Sequence, residues 1–346
     1  MNDNTLFSIQ QITKNNKTHY IHKKTKKKLP TNSQFVKKLK NTIKIPPAYK
    51  NVVIARNLNS KILAKGEDAK GRIQYIYNPD YVEERNTEKF KELIPFSKKI
   101  HNIRKWMNKT LQDYRKSKQF TKNTLIACCL YLIDACNFRV GNSKYYDLYD
   151  SSGVTTLCPS HINGTPSEVT IEFKGKKGVQ NKSIITNKTI NELLLNLKYT
   201  NKNETFLFCY KDDTINKKIC INEKTINLFL KSYHPSLSVK MYRTWNANVD
   251  FINHIKPFLQ QLDISLPQSK LEKTIKKGIL QTIRKIAPDY HHSAAISRKS
   301  YLHEGLIHYI ITNPIEATQK ITQIRATKTD PSNHKHIMDL LLLVSN

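Results

Sequence analysis

The segment KNTLIACCLYLIDACN, residues 122–137, is apolar on nearly every side when it is drawn as a helix. A helix without a polar face is buried all round, so this segment predicts the central helix of a sizeable hydrophobic core. Its cysteines, Cys128, Cys129 and Cys136, would then be buried, reduced thiols, which favours a reducing compartment. We therefore expect a mainly helical domain around residues 122–137.

The flanking sequence predicts helices on both sides of this segment. From Thr87 onward, apolar residues recur at helical spacing up to Met107, with one interruption at Pro95. We interpret this stretch as the passage into the helical domain. Further helices are expected at about 245–262, 269–286 and 301–311.

A short β-hairpin interrupts the helical pattern. Val169, Ile171 and Phe173 alternate with polar residues, as in a strand with one buried face. The sequence GKKG at 175–178 then turns the chain, and residues 183–185 continue as a second strand. The hairpin is therefore predicted to be an insertion in the helical domain.

Residues 1–85 predict a different kind of domain. Short apolar runs at 51–55 and 73–77 are typical of strands, and turn-forming Pro, Gly and Asn residues separate them. We therefore predict an α+β fold with two domains. A small N-terminal β-rich domain spans residues 1–85, and a larger, mostly α-helical domain with the β-hairpin insertion spans residues 86–346.

The chain is strongly basic. It has 58 Lys and Arg residues against 27 Asp and Glu residues, a formal net charge of +31. In residues 1–66, Asp3 is the single carboxylate against fifteen basic side chains. A codon bias toward Lys could explain many lysines, but it does not remove carboxylates. Because basic surfaces bind polyanions by releasing counterions, the charge favours nucleic acid as the partner, with RNA or a membrane surface as weaker alternatives.

Several function classes lack support in the sequence. No run of about 20 apolar residues predicts a membrane span, and the N-terminus has no secretory pattern. The six cysteines form no CxxC pair and the twelve histidines no HExxH spacing, so we expect no metal and no other cofactor. The expectation is an intracellular, monomeric protein that needs neither a membrane nor a small-molecule ligand.

Two arginines stand out in a chain that otherwise prefers lysine. Arg139 follows the apolar segment, and Arg243 lies in KMYRTW at 240–245. Cutting a phosphodiester requires a nucleophile in line with phosphorus, positive charge on the nonbridging oxygens and a proton for the leaving oxygen. Guanidinium is permanently charged and bidentate, so arginines suit the second task. Taken alone, each arginine could equally be an ion-pair or helix-terminus residue.

The order of the motifs resembles the type IB DNA topoisomerase family in its compact form, known from poxviruses, giant viruses and some bacteria. That family's catalytic residues run Arg, Lys, Arg, His and Tyr along the chain. In the N-terminal domain, IPPA at 45–48 and GEDAKGRIQYIY at 66–77 match as well, so the resemblance covers about residues 20–311. The remaining matches are RVGN at 139–142, GVTTL at 153–157, FKGK at 173–176, KMYRTW at 240–245, and a segment ending ISRKSY in which His292 precedes Tyr301 by nine residues.

This resemblance implies an enzyme that relaxes supercoiled DNA by transient single-strand cleavage. Tyr301 would be the nucleophile that attacks the scissile phosphate and forms a 3′-phosphotyrosyl bond. Arg139, Arg243 and His292 would stabilise the transition state, and Lys176 would be the general acid that protonates the leaving 5′ oxygen. The covalent bond conserves the phosphodiester energy, so resealing would need no ATP. Arg, Lys and His would supply the neutralising charge, so no metal would be needed.

The resemblance also implies that residues 1–85 clamp double-stranded DNA, that residues 86–346 form the catalytic domain, and that DNA contacts lie outside the catalytic set. Alternation places Tyr75 and Tyr77 on one strand face, where they could meet a groove or phosphate, or pack on their own domain. Lys144 and Tyr145 would begin a helix that enters the major groove. Poxvirus relatives tend to carry Lys at the position of Asn142, which puts a shared sequence preference in doubt. The candidate DNA-binding residues are Arg72, Gln74, Tyr75, Tyr77, Lys144 and Tyr145.

Two rival functions remain open at this point, as does a role for His291 beside His292. A tyrosine recombinase shares the catalytic domain, but it usually carries H-x-x-R where this chain has KMYR, and it begins with a helical clamp. A noncatalytic DNA-packaging protein would explain the charge, but not five chemically suitable residues in family order. The compact form and the Lys, Asn and Ile bias favour a viral source, and hence host cytoplasm or virion as location.

Overall fold

The structure is a computed structural model that describes residues 6–14, 17–212, 214–324 and 331–344. By internal packing the chain divides into two units, Met1–Lys89 and Phe90–Asn346, and each is described by itself. The first contains a β-sheet and the second is mostly helical, which confirms the α+β fold class. Among the described residues, no helix combines the length and apolar character that crossing a membrane requires.

The first unit is built on an antiparallel sheet. Its strands are β1 (Ile9–Lys14), β2 (Lys17–His22), β3 (Lys50–Ile54), β4 (Ile62–Glu67) and β5 (Ile73–Tyr77), and its helices are α1 (Gln34–Thr42) and α2 (Pro79–Lys91). The spatial order is β2-β1-β3-β4-β5, with β5 at one edge. Ser33 caps α1 by accepting the N–H of Val36. Val36 and Leu39 then pack against Ile54 and Leu63, so the sheet has a hydrophobic core of its own.

The second unit consists mainly of helices. They are α3 (Leu93–Ser117), α4 (Lys122–Ala135), α5 (Ser143–Tyr149), α6 (Lys188–Thr200), α7 (Glu223–Lys231), α8 (Lys240–Gln260), α9 (Gln268–Ile286), α10 (Ala294–Ser300), α11 (Glu304–Thr312), α12 (Pro314–Gln323) and α13 (Pro331–Leu343). Its strands are β6 (Ile162–Gly164), β7 (Val169–Lys174), β8 (Gln180–Ile185), β9 (Cys209–Asp212) and β10 (Lys217–Cys220).

Helix α4 lies in the core of this unit, as its composition predicts. Thr121 caps it by accepting the N–H of Thr124, and α3 and α8 pack against it. Cys128 and Cys129 are fully buried thiols, and Cys136, at the end of the helix, is buried as well and forms no disulfide. The predicted hairpin is also confirmed, because β7 and β8 pair in antiparallel register on either side of a short 3₁₀ turn, Lys176–Gly178.

The prediction of a helix at 301–311 is wrong at its N-terminal end. Helix α10 ends at Ser300, Tyr301 has a non-helical backbone, and α11 begins at Glu304. The cause is Asn248 on α8, whose side-chain amide donates to the carbonyl of Tyr301 and accepts the N–H of His303. These two bonds satisfy the backbone groups that a continuous helix would have used. The helix expected from about residue 245 begins earlier, at Lys240.

Two further features lie outside the sequence-based predictions. Cys209 and Cys220 face each other across β9 and β10 and form a disulfide, in contrast to the reduced thiols expected of an intracellular chain. The C-terminal α13 packs against α3 and α11 through Ile337 and Leu341, which are buried. Of the described residues beyond Asn313, those that are buried and apolar, from Ala317 to Leu341, therefore belong to the hydrophobic core of the second unit.

Candidate active site

Arg139 stands on a turn that leaves the end of α4. Asn137, with φ 53°, takes the left-handed conformation that ends the helix. The carbonyl of Arg139 then accepts the N–H of Val154 at 2.8 Å, which holds the turn against a second segment. Gly153 makes this approach possible, because a Cβ there would lie 2.6 Å from the carbonyl oxygen of Arg139. The two glycine-containing motifs, RVGN and GVTTL, are thus one structural feature.

Lys176 lies at the tip of the β7–β8 hairpin. Gly175 before it leaves no room for a side chain, because a Cβ would lie 2.2 Å from the amide of Asn181. The ammonium keeps some solvent access, yet the surrounding protein and the positive charge of Arg139 lower its pKa. Negative charge on Tyr301 opposes that shift. Lys176 therefore shares an electrostatic environment with both residues.

Arg243 enters the site from α8 and is only 4% exposed. Its Nη2 donates to the carbonyl of Tyr290 at 2.8 Å, and its Nε donates to the hydroxyl of Tyr301 at 3.4 Å. Burial lowers the pKa of the guanidinium, and Tyr301 opposes this shift. The third nitrogen, Nη1, is buried and has no hydrogen-bond partner among the described residues. Arg243 thus offers a donor for an acceptor that the protein itself does not supply.

His292 stacks on the nucleophile candidate. The rings of His292 and Tyr301 are 4.8 Å apart and nearly parallel, at 12°. Burial and the positive charges of Arg243 and Arg139 lower the pKa of His292 to about 4, so the ring is neutral at physiological pH. Its Nδ1 bonds to the hydroxyl of Ser297 at 3.0 Å. A neutral ring whose Nδ1 accepts carries its proton on Nε2, which is buried without a partner among the described residues.

Tyr301 is the centre of the cluster. Burial raises the pKa of its phenol, but the charges and hydrogen bonds of Arg243 and Arg139 outweigh that effect, so the pKa lies below its ordinary value. The guanidinium carbon of Arg243 is 5.1 Å from the ring centroid. Asn248 holds the backbone of Tyr301 through its carbonyl at 2.9 Å. The sequence did not lead us to predict a role for Asn248. The signal that could have indicated one is its position on the same helix as Arg243.

The structure thus brings the five predicted catalytic residues into one electrostatic environment. Arg139, Arg243 and His292 contact the phenol of Tyr301, and Lys176 interacts with it through charge. Such a cluster can stabilise an anion that develops next to the phenolic oxygen. Within the part of the chain that the structure describes, no group of three or more His, Cys, Asp or Glu side chains could hold a metal ion.

The candidate DNA-binding residues of the first unit fall into two groups. Arg72 donates twice to Asp68, at 2.8 and 2.6 Å, and Gln74 donates to the same carboxylate at 3.0 Å. The hydrogen bonds and charge of Arg72 hold the pKa of Asp68 well below its usual range. Tyr75 and Tyr77 lie on the other face of β5, 48% and 43% exposed, with ring centroids 6.4 Å apart. The tyrosines are therefore open to a ligand, whereas the Arg72 charge is partly neutralised.

Lys144 and Tyr145 lie at the start of α5, as predicted. Both are exposed, and Tyr145 stacks on Tyr149 with ring centroids 6.1 Å apart. Asn142 caps this helix by accepting the N–H of Lys144 at 3.1 Å. The departure at residue 142 from the poxvirus pattern thus has a structural consequence, since asparagine is a favoured N-cap.

Comparison with known proteins agrees with this geometry. The family model for the catalytic core of eukaryotic DNA topoisomerase I matches residues 78–328. DNA topoisomerase 1B of Acanthamoeba polyphaga mimivirus is 32% identical over 276 residues, covering 79% of this chain and 80% of the relative. DNA topoisomerase 1B of Vaccinia virus (strain Copenhagen) is 25% identical over 265 residues, covering 75% and 77%. The chain therefore belongs to the type IB DNA topoisomerase family.

Proposed function

We propose that this enzyme relaxes supercoiled double-stranded DNA by cutting one strand with Tyr301, letting it rotate and resealing it, without ATP or metal. The observation that carries the proposal is the environment of one phenol. Arg139, Arg243 and His292 come from distant parts of the chain, and all three contact Tyr301. A tyrosine with only a structural role would not require such a concentration of positive charge.

The nucleophilic step depends on the phenol. Its oxygen forms a bond to phosphorus, the bond from phosphorus to the 5′ oxygen breaks, and the phenolic proton leaves to solvent. A tyrosine ordinarily ionises near pH 10, so few phenolates exist at neutral pH. Because Arg243 and Arg139 lower the pKa of Tyr301, a larger fraction is ready to attack. The product is a 3′-phosphotyrosyl bond.

The transition state carries extra negative charge on the nonbridging oxygens. Nη1 of Arg243 is a buried donor and Nε2 of His292 a buried ring nitrogen, both without partners among the described residues and both beside Tyr301. We assign to His292 the tautomer in which Nδ1 accepts from Ser297, which makes Nε2 a donor as well. A buried donor without an acceptor costs free energy, and a phosphate oxygen in the site would remove that cost. Hydrogen bonds from a guanidinium to phosphate are also among the stronger ones. We assign both donors, with Arg139, to the nonbridging oxygens.

The leaving 5′ oxygen needs a proton, and we assign its donation to Lys176. A lowered pKa makes the Lys176 ammonium a better acid at neutral pH. Resealing runs the same steps backwards: the 5′ hydroxyl attacks phosphorus, gives its proton to Lys176 and releases Tyr301. One phosphodiester is exchanged for another in each direction, which is why no ATP is required.

One copy of the chain carries all five residues, which supports a monomeric enzyme. The net charge of +31 supports binding along the DNA backbone. Within that surface we assign DNA contacts to the residues predicted from the sequence: Arg72, Gln74, Tyr75, Tyr77, Lys144 and Tyr145. The viral sources of the similar relatives support a viral origin, with the host cytoplasm or the virion as the place of action.

The test is plasmid relaxation in EDTA without ATP. We expect the intact protein to relax supercoiled plasmid and Tyr301→Phe to bind DNA without relaxing it. Tyr199→Phe is the matched control, because this tyrosine is exposed and does not belong to the cluster. Denaturing the intact protein during the reaction should trap it covalently on the 3′ end of the cut strand. Relaxation by Tyr301→Phe would contradict the proposal.

A further inference from the structure

The turn that carries Arg139 is held from two sides by one side chain. Asn137 ends α4 and is only 2% exposed. Its Oδ1 accepts from the side-chain amide of Asn246 at 3.2 Å, and its own amide donates to the carbonyl of Asp289 at 3.3 Å. Asn246 lies on α8, three residues after Arg243, and Asp289 lies three residues before His292. Asn137 therefore links the segments that bear Arg139, Arg243 and His292.

The partner of Asn137 on α8 is itself fixed. The amide of Asn246 also donates to Asp134, at 2.9 Å to the backbone carbonyl and 3.1 Å to the carboxylate. Arg104 of α3 binds that carboxylate with two nitrogens, at 2.7 and 2.8 Å. Asn137 and these three residues are all buried, so solvent does not compete for the bonds between them. The network gives Asn246 one orientation relative to the end of α4.

Phe138, between Asn137 and Arg139, connects this turn to two further segments of the candidate active site. Phe138 is fully buried; its ring stacks on His291 at 5.2 Å and meets Phe173 edge-on at 4.9 Å. Phe173 precedes Lys176 by three residues, and His291 directly precedes His292. His291 also bonds the carbonyl of Cys136 at 3.3 Å. Residues 137–139 thus touch every segment that contributes to the candidate active site.

We propose that Asn137 is a positioning residue for catalysis, which acts through Arg139 by fixing the turn at the end of α4 against α8 and the segment before His292. This inference rests on the proposed function. A long arginine side chain has many rotamers, and its effect on a transition state falls steeply with small displacements. The backbone alone would not demand asparagine, since glycine adopts the left-handed conformation more readily. The two side-chain hydrogen bonds are therefore what this residue supplies.

The test uses the fact that glycine, like asparagine, can adopt the left-handed backbone conformation at position 137. Asn137→Gly keeps the left-handed turn and removes both side-chain bonds. We expect its single-turnover rate of DNA cleavage to fall at least about tenfold, with a Kd for DNA within about twofold of the intact protein. Asn201→Gly is the matched control: Asn201 is equally buried and makes two side-chain bonds to backbone carbonyls, but in another part of the unit. It should cleave DNA at the normal rate.

A double-mutant cycle separates positioning from general stability. In the Arg139→Ala background, Asn137→Gly should slow cleavage by less than about twofold, because the side chain through which Asn137 acts is gone. A purely structural role predicts the same tenfold loss in both backgrounds and would overturn the inference. If Asn137→Gly does not fold, Asn246→Ala removes the donor from the other side and is expected to show the same non-additivity.

The outcomes also distinguish this inference from the proposed function. If the intact chain cleaves DNA and Asn137→Gly cleaves equally fast, the positioning role is wrong and the proposed function stands. If the intact chain forms no covalent complex with DNA, the proposed function fails and the inference falls with it.

Discussion

At the residue scale, positive charge is concentrated around the phenolic oxygen of Tyr301. The hydroxyl of Tyr301 accepts from the Nε of Arg243, and His292 lies flat against its ring. Because burial keeps water away from Arg243, its charge acts on the phenol with little screening. Burial of His292 and the charges of Arg243 and Arg139 lower its pKa, so the ring is neutral and adds no proton equilibrium near pH 7.

The pH dependence of cleavage should reveal the influence of Arg243. The charge of Arg243 lowers the pKa of Tyr301, so Arg243→Gln should raise that pKa and move the rising limb of the pH–rate profile to higher pH. At neutral pH we expect cleavage to slow by about 100- to 1000-fold, as for loss of one transition-state donor. Arg298→Gln is the control, since Arg298 pairs with Glu304 at the surface. An unshifted limb in Arg243→Gln would contradict the assigned role.

The role of Lys176 can be tested by changing the leaving group. Lys176→Ala should slow cleavage by about 100- to 10,000-fold, the usual contribution of a general acid. A substrate with sulfur at the bridging 5′ position leaves as a thiolate, whose pKa is much lower than that of an alcohol, and needs no proton. That substrate should restore most of the rate of Lys176→Ala but not that of Arg243→Gln. Lys182→Ala on β8 serves as control, and equal rescue of both variants would argue against this assignment.

At the scale of elements, close contacts at glycines set the position of the candidate catalytic side chains. The segment that carries Arg139 approaches the segment that begins at Gly153 so closely that a side chain at 153 would meet the backbone of Gly141 at 2.5 Å. The hairpin of Lys176 has a similar contact at Gly175. These contacts explain why residues 153 and 175 of this chain are glycines in the motifs that position Arg139 and Lys176.

Gly153→Ala should therefore affect both stability and catalysis. The added methyl group must displace the Arg139 turn, and overpacking of this kind costs about 1–3 kcal/mol in the free energy of unfolding. Urea unfolding measures that loss, and single-turnover cleavage should slow as well because Arg139 moves. Gly178→Ala is the comparison: a methyl group there meets no atom within 4 Å, so only the strain of its left-handed φ remains. Cleavage at the normal rate by folded Gly153→Ala would contradict this view.

At the scale of the whole molecule, the excess of positive charge determines how the enzyme meets DNA. A formal net charge of +31 attracts DNA from a distance and is screened as salt rises. It also slows release, because each phosphate contact must be exchanged for a counterion. Relaxation of many plasmids by few enzymes therefore requires a balance between binding and release.

Salt should accordingly act in opposite directions on binding and turnover. With six to ten phosphate contacts, DNA affinity should fall about 10³- to 10⁵-fold between 50 and 200 mM salt. Multiple-turnover relaxation should first speed up with salt, as release becomes faster, and then fail as binding is lost. Replacing Lys23, Lys24, Lys27 and Lys28 by Gln tests one basic stretch, and should reduce the slope of log affinity against log salt. A slope near zero for the intact chain would show that the charge does not contact the DNA backbone.

The sequence by itself determined what depends on local pattern. Helix α4 follows from a run of apolar residues, the β7–β8 hairpin from alternation around GKKG, and the basic character from composition alone. The candidate catalytic residues could be named because each lies in a short motif with a fixed order. Such signals span a few residues, and neighbouring side chains suffice to produce them.

Only the tertiary structure decided what depends on contacts between distant residues. It separates Tyr301 from the helix expected to contain it, because Asn248 takes the backbone bonds of Tyr301 and His303. It joins Asn137 to Asn246, although both read in the sequence as ordinary polar residues. Hydrophobic periodicity reports which face of an element is buried, but not which buried polar group will meet another. That choice is made when α4 and α8 pack, since each buried donor must then find an acceptor.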